Sequence, residues 1–243
     1  MITLNLIDMK KIYFAIAALV VMLFATEANA LLTVGAGYNH EVMTEKVLGD
    51  RESEGLDGFY LEATYDLAFL DEYWGMLALQ PGVKFSYAAE IESEEFMGMT
   101  MKSTFAETYF NIPVLLKYSY PIGDLKLSAF AGPVLSLGLT SSAKLTVRGD
   151  DGKYTTKYNL YNGKTTTQGD DLGLDSSLDS TISDYGRFDL KLGLGIGATF
   201  ADVIGVKLGY DIGLLNRYTG EQYEGETYKV HTGVFYVGVG ISF

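Results

Sequence analysis

Between Leu31 and Phe243 the chain alternates apolar and polar residues in eight stretches, with a period of two rather than 3.6, which predicts strands. The first is Leu31–His40. The second, Phe59–Ala68, puts Phe59, Leu61, Ala63, Tyr65 and Leu67 on one face and Tyr60, Glu62, Thr64 and Asp66 on the other. In the third, Met76–Ala88, Leu77, Leu79, Val83, Phe85 and Tyr87 oppose Gln80, Gly82, Lys84 and Ser86. The fourth, Thr104–Tyr118, sets Phe110, Ile112, Val114 and Leu116 against Glu107, Tyr109, Asn111 and Lys117. The fifth, Leu125–Leu139, carries Lys126, Ser128 and Ser136 on its polar face, and the sixth, Gly186–Thr199, carries Arg187, Asp189, Lys191 and three glycines. The seventh, Ile204–Leu214, carries Lys207 and Asp211, and the eighth, Val230–Phe243, alternates Phe235, Val237, Val239, Ile241 and Phe243 with Tyr236, Gly238 and Gly240.

The connections alternate in length. Phe69–Gly75, Ser119–Asp124 and Phe200–Val203 are short, whereas 41–57, 89–102, 140–185 and 216–228 are long and read as loops. An even number of strands, with short turns at one end and long loops at the other, predicts an all-β, eight-stranded antiparallel up-and-down transmembrane β-barrel with short periplasmic turns and long extracellular loops. Within the longest loop, Asp151-Gly152 and Asn162-Gly163 are hairpin turn signals between β-prone runs. They predict that strands five and six protrude beyond the membrane with an added hairpin between them, while the Ser- and Asp-rich stretch 170–184 stays a mobile loop.

Charge follows the same division. The net charge is −13, and nearly all of it lies in the four long connections. The polar strand faces are close to balanced, with Glu62, Asp66, Glu107, Asp189 and Asp211 against Lys84, Lys117, Lys126, Arg187, Lys191 and Lys207. An eight-stranded barrel is only wide enough for side chains to fill, so these eleven are expected to form a packed interior polar network rather than line a channel. The acidity excludes a nucleic-acid partner. With no Cys, disulfides, thiolate metal sites and a cysteine nucleophile are excluded, and two His leave little for a histidine-based site. The pairing of 28 Gly with 18 Tyr and 13 Phe fits closely packed strands.

Residues 1–30 read as a signal peptide with an upstream extension, 1–8. Lys10 and Lys11 precede the uncharged run Ile12–Ala25, too short to span a bilayer as a helix, and Ala28-Asn29-Ala30 supplies the small residues of a cleavage site. The barrel domain is then 31–243, exported to the cell outer membrane.

Tyr109-Phe110-Asn111-Ile112-Pro113-Val114-Leu115-Leu116-Lys117-Tyr118, followed by Ala129-Phe130-Ala131-Gly132-Pro133, resembles the outer membrane protein beta-barrel domain family (PorT-like, porin family) of Gram-negative bacteria. The likeness covers the mature chain and implies the fold, but it brings no shared catalytic or ligand residues. Pro113 and Pro133 each remove a ladder donor and predict bulges or kinks. Phe235, Val237, Val239, Ile241 and Phe243 resemble the terminal signal read by the barrel-insertion machinery. The expected partners are that machinery, periplasmic chaperones, outer-membrane lipid and lipopolysaccharide, with a monomeric barrel and an extracellular loop partner that the sequence does not name.

Other chemistry is thin. His40 and His231 share parity with the lipid-facing residues and are expected at the outer rim, but no Ser follows His231 at the spacing a lipid-modifying enzyme would use. Met97, Met99 and Met101 alternate beside Glu90, Glu92, Glu94 and Glu95 as apolar filler. Asp150-Asp151 and Asp170-Asp171 match no calcium loop, and Gly193, Gly195 and Gly197 lie inside a strand rather than in a phosphate loop. No catalytic residue, cofactor or metal site is expected. The reading is a non-enzymatic outer-membrane barrel with a structural or surface-interaction role; a narrow porin-like channel, a lipid-modifying barrel enzyme and a soluble periplasmic ligand-binding barrel are the alternatives.

Overall fold

The computed structural model describes residues 31–47, 50–96, 98–149, 152–169, 185–220 and 228–243, so the leader assigned to 1–30 lies outside the described residues. The strands are β1 (Leu31–Val47), β2 (Asp50–Glu72), β3 (Gly75–Phe96), β4 (Met99–Ile122), β5 (Leu125–Gly149), β6 (Gly152–Asn159), β7 (Lys164–Gly169), β8 (Phe188–Phe200), β9 (Ile204–Gly213) and β10 (Lys229–Ser242). β1 to β5 and β8 to β10 form a closed antiparallel ring of eight, in which β5 pairs with β8 and β10 returns to β1. Closure runs from Thr33 opposite Ser242 to Lys46 opposite Lys229. At its foot Phe243 N donates to Leu32 O at 2.8 Å, and the Thr33 and Ser242 hydroxyls meet at 2.8 Å.

The apolar faces point outward. Leu61, Leu127, Leu192, Leu194, Ile196, Val206, Leu208, Val237, Val239 and Ile241 are all exposed, while Glu62, Lys84, Glu107, Asp189, Lys191 and Asp211 are buried. A soluble ligand-binding barrel needs the opposite arrangement; a barrel solvated by lipid needs this one. From Phe188 to Phe200 β8 spans about 40 Å along the strand, or about 30 Å along a barrel axis tilted ~40° from it, which matches a bilayer's hydrocarbon core. Phe69, Tyr73, Trp74, Tyr120, Phe200 and Phe243 are exposed around the short-turn end, and Tyr38, Phe59, Phe85 and Tyr210 around the other, as two aromatic girdles would be.

The three turns at the short end are tight. Gly123 takes φ 61° in the two-residue reversal after β4, and Ala201 and Asp202 take φ 49° and 57° in the three-residue one after β8, left-handed values that reversals this short demand. Pro113 and Pro133 do not bulge their strands. The ladder skips the pairs beside them and resumes in the same register, from Pro113 opposite Val134 to Leu116 opposite Ala131. Only the hydrogen bond is lost, because the neighbouring strands hold the proline backbone in place. The shift in this ladder falls instead at Thr108/Tyr109, and a second lies at Ala68/Leu70.

Two stretches expected as loops are strand. Where they are described, residues 41–57 and 89–102 are taken up by the long ends of β1 to β4. Polarity on both faces made them look irregular. Beyond the membrane neither face has to be apolar, so the ladder and pairs such as Thr44 with Ser53, 3.1 Å apart, are enough. The hairpin expected in the longest connection is present: β5 runs on to pair with β6, and β6 with β7. Its second turn is held by Gly163 N donating to Asn159 O at 2.9 Å and Lys164 N to the Asn162 side chain at 3.0 Å. β8, in contrast, begins only at Phe188, so the sixth segment does not protrude as a strand, and 170–184 lies outside the described residues.

Replacing Leu192 or Val237 by Arg near the midplane is expected to cost about 2–4 kcal/mol, measured as folding into lipid vesicles over a denaturant series. Amide hydrogen exchange on the folded barrel checks the protruding sheet: 144–147 and 154–157 should exchange slowly, and rapid exchange throughout would mean the hairpin does not persist.

Candidate functional site: the barrel interior and its extracellular mouth

The lumen is filled by rings lying on glycines and by ion pairs between opposite walls. Tyr60, Leu115, Phe130, Val134 and Tyr236 form its apolar centre, with Tyr60 edge-on to Tyr236 at 5.7 Å between ring centres. Each ring occupies the space a neighbouring side chain would need. A Cβ on Gly209 would lie 2.4 Å from the Tyr236 ring, and one on Gly195 2.4 Å from Phe130. Pairing inward aromatics with inward glycines is how a narrow barrel accommodates so many large residues.

Charges are threaded through this packing. Toward the periplasmic end the Lys117 ammonium lies 2.7 Å from Asp66, whose other oxygen accepts from Gln80 at 2.5 Å. One layer up, Lys207 pairs with Glu62, and Lys84 with Asp211 at 2.5 Å. Lys84 also lies 4.1 Å from the centre of the Tyr236 ring, a cation–π contact. Asn111 donates to Ser86 at 3.1 Å and accepts from Ser136 at 2.6 Å. Higher still, Lys191 sits 4.9 Å from the Tyr109 ring, and Asp189 accepts from Thr232 at 3.0 Å and from the Leu215 amide at 3.3 Å.

The mouth is closed by Arg217. Its guanidinium forks onto Glu107 at 3.0 and 3.2 Å, reaches the Tyr161 hydroxyl at 3.3 Å, and is 1% exposed against 0% for Glu107. Tyr109 also donates to Glu107. Glu41 is buried beside this group with one oxygen unpartnered. Above it Tyr185 donates to Glu45 at 2.7 Å, and Tyr228 donates to the other Glu45 oxygen. Burial first, and then this carboxylate, hold both phenols well above the usual range, so they stay protonated donors. Two of the spaces left inside are a recess of about 60 Å³ toward the periplasmic rim and one of about 10 Å³, room for a single water, beside Asn39 and Lys191.

Of the eleven charged residues assigned to the interior, nine lie in it: Glu62, Asp66, Lys84, Glu107, Lys117, Asp189, Lys191, Lys207 and Asp211. Two stand outside. Lys126 is the second residue of β5, so it meets Asp202 of the opposite turn at the solvated rim, 2.7 Å away. Arg187 precedes β8 and lies 5.0 Å from the Tyr161 ring, exposed at the mouth. Glu41 and Arg217 were missed because both fell in stretches read as loops. Glu41 continues the inward parity of Gly37 and Asn39, a signal the sequence did carry; Arg217 belongs to no alternating run and reaches the lumen only because its loop folds inward.

The remaining candidates disperse. His40 and His231 share the outer wall, but His231 stands opposite Thr44 and His40 opposite Phe235, about 13 Å apart along the strand. His40 Nδ1 is 2.7 Å from Asp57, which also accepts from Tyr38. Met97, Asp150-Asp151 and Asp170-Asp171 lie outside the described residues. Phe235, Val237, Val239, Ile241 and Phe243 all stand on the lipid side of β10.

Comparison with solved structures finds outer-membrane barrels. Ail, the attachment invasion locus protein of Yersinia pestis, solved with the heparin analogue sucrose octasulfate, is 12% identical over 88% of this chain and 99% of its own, with a TM-score of 0.40. Neisserial surface protein A is 12% identical over 87% and 97%, with a TM-score of 0.39, and the outer membrane protease OmpT of Escherichia coli 10% identical over 90% and 98%, with a TM-score of 0.36. Among curated protein sequences no match is found. The family described as "Outer membrane protein beta-barrel domain" matches residues 58–218, most of the ring with the protruding β6–β7 hairpin, and the chain belongs to that family.

Proposed function

We propose that this protein is a non-conducting, monomeric and non-enzymatic barrel whose work is done at the cell surface by its extracellular sheet. The filled lumen carries the reading. The Lys207–Glu62, Lys84–Asp211 and Arg217–Glu107 pairs cross it, and the recesses of about 60 and 10 Å³ beside them have room for a few waters. A channel would need a continuous wet path, and a porin reaches one only with many more strands. The same economy explains the investment outside. β2 to β5 run 22 to 25 residues each, against 10 to 14 for β8 to β10, so one side of the barrel stands far above the membrane and carries β6 and β7 with it. A tall, asymmetric wall with no lumen to serve supports a contact surface. As for catalysis, His40 has an acid in Asp57, but the hydroxyls of that wall, Thr44 and Ser53, bond each other rather than an imidazole. The alternating terminal residues through Phe243 support recognition by the insertion machinery and its chaperones.

Pure protein in planar bilayers should give no steady conductance; stable, ion-selective single-channel steps would reverse the reading. Arg217→Ala should cost about 3–5 kcal/mol in detergent-denaturation stability, because it strands the Glu107 carboxylate. Changing Glu107→Gln and Arg217→Met together should cost less than that. Cells displaying a chain that lacks 150–168 should keep a folded, heat-modifiable barrel but lose the surface adhesion that cells displaying the parent show. Undiminished adhesion would remove the role from the hairpin.

A further inference from the structure

Strand register places basic residues in one band on the outside of the barrel, and this band is the feature the rest of the molecule does not use. On β1 the even-numbered residues face outward, and the residues paired with them on β10 and β2 share that face. Reading up the wall from the lipid side, Tyr38 stands between Val237 and Phe59, His40 between Phe235 and Asp57, and Val42 between Gly233 and Gly55. Thr44 then stands between His231 and Ser53, and Lys46 between Lys229 and Arg51. Three cations therefore lie side by side on adjacent strands, all exposed, directly above a row of two hydroxyls and an imidazole.

Like charges directly opposite one another repel. Among the described residues no ion pair neutralises Lys46, Arg51 or Lys229, although the chain has 31 acids to 18 bases and could easily have supplied one. Of the described acids of the same hairpin, Glu41, Glu45, Glu52 and Glu54 are on the alternate positions, facing inward, and the outward Asp57, lower on the wall, is taken up by Tyr38 and His40. A row of repelling cations with no acid paired to it fits an anion from outside the protein.

Height and continuity identify its source. Lys46 lies eight residues beyond Tyr38, about 26 Å along the strand and about 20 Å above the aromatic girdle. Phospholipid phosphates sit at the level of that girdle, too low to reach it. The wall below the row is continuous with the lipid-facing Val34, Phe59 and Val237. A molecule that lies against those residues with its acyl chains and carries phosphates or carboxylates some 15–20 Å higher is a glycolipid with an anionic sugar core. We propose that the β10–β1–β2 wall is a binding site for the core phosphates and carboxylates of outer-leaflet lipopolysaccharide, held by Lys46, Arg51 and Lys229 with Thr44, Ser53 and His231 beneath them. On the adjoining β3, Glu92 and Glu94 have the inward parity of Lys84 and Ser86, and Glu95, which shares the outer face, makes no ion pair with the row. The inference rests on the barrel's placement in the outer membrane, not on whether the lumen conducts.

The test uses the full barrel in nanodiscs or detergent and measures binding of rough lipopolysaccharide with a phosphorylated core. The probes beside it are core-less lipid A, phosphatidylglycerol and a free sulfated oligosaccharide. The variant Lys46→Ser/Arg51→Ser/Lys229→Ser is compared with Lys153→Ser/Lys157→Ser/Lys164→Ser, which removes the same charge from β6 and β7. The first variant should bind the rough glycolipid at least tenfold more weakly and the second like the parent, with the parent preferring the rough glycolipid to core-less lipid A and phosphatidylglycerol. Folding is read separately: relief of repulsion should leave the first variant at least as heat-stable as the parent in lipid-free detergent and less stable than it when the glycolipid is added. Equal binding by the two variants would overturn the assignment. So would a parent that holds phosphatidylglycerol as tightly, or that loses the glycolipid to an equal concentration of the free oligosaccharide.

Discussion

A backbone that crosses lipid has no water with which to satisfy its N–H and C=O groups, so each has to find a partner along the sheet, and a sheet achieves this only by closing on itself. In this protein the requirement falls on the pairing of β1 with β10, the first and last strands of the ring, from Thr33 opposite Ser242 upward. Pro113 and Pro133 show how much slack the closed ladder has. Each removes a donor, yet the register passes through, because strands on both sides fix the position. Once the ring is closed, alternation does the rest: every outward residue meets lipid, every inward one meets the opposite wall.

The inward residues then face a problem of space. Eight strands enclose too little volume for an aqueous path and too much for backbone alone. Rings fill it where glycine on a facing strand leaves room, as Tyr236 does over Gly209 and Phe130 over Gly195. Charges fill the remainder in pairs. Such pairs are costly to break but weak as net stabilisation, since desolvation cancels much of their attraction. What they supply is specificity of register. Lys84 on β3 reaching Asp211 on β9, or Lys207 on β9 reaching Glu62 on β2, is possible in one arrangement of the ring, and a slip by one residue would turn each of these charges into lipid.

Above the membrane the constraint relaxes, and the chain changes character at the same height. β1 to β5 continue as ladders with polar residues on both faces, and Arg217 and Glu107 separate this region from the lumen below. Above Asp57 the described charges of the β1–β2 hairpin are sorted by face, with Glu45, Glu52 and Glu54 inward and the Lys46 and Arg51 pair outward. The wall is thus built to present different surfaces to different neighbours.

The period-two pattern was enough to place all eight ring strands, their lipid faces and most of the luminal charges, because lipid tolerates no charge on one face and leaves an unbroken signature in the residues from Phe59 to Leu67 or Val230 to Phe243. Turn chemistry was enough for the β6–β7 hairpin. Where water replaces lipid the signature vanishes, and the upper halves of β1 to β4 looked like loops, although the ladder there is as regular as below. Glu41 and Arg217 could be recognised as luminal only once the ring was closed and the loop after β9 folded inward. The row Lys229, Lys46 and Arg51 is the same case: residues distant along the chain have no relation in the sequence, and only the register of β10 on β1 and of β1 on β2 sets them side by side. Which face of each strand meets lipid is legible in the chain, since solvent acts residue by residue; pairing partners depend on closure, a property of the whole ring, and become visible only in the folded barrel.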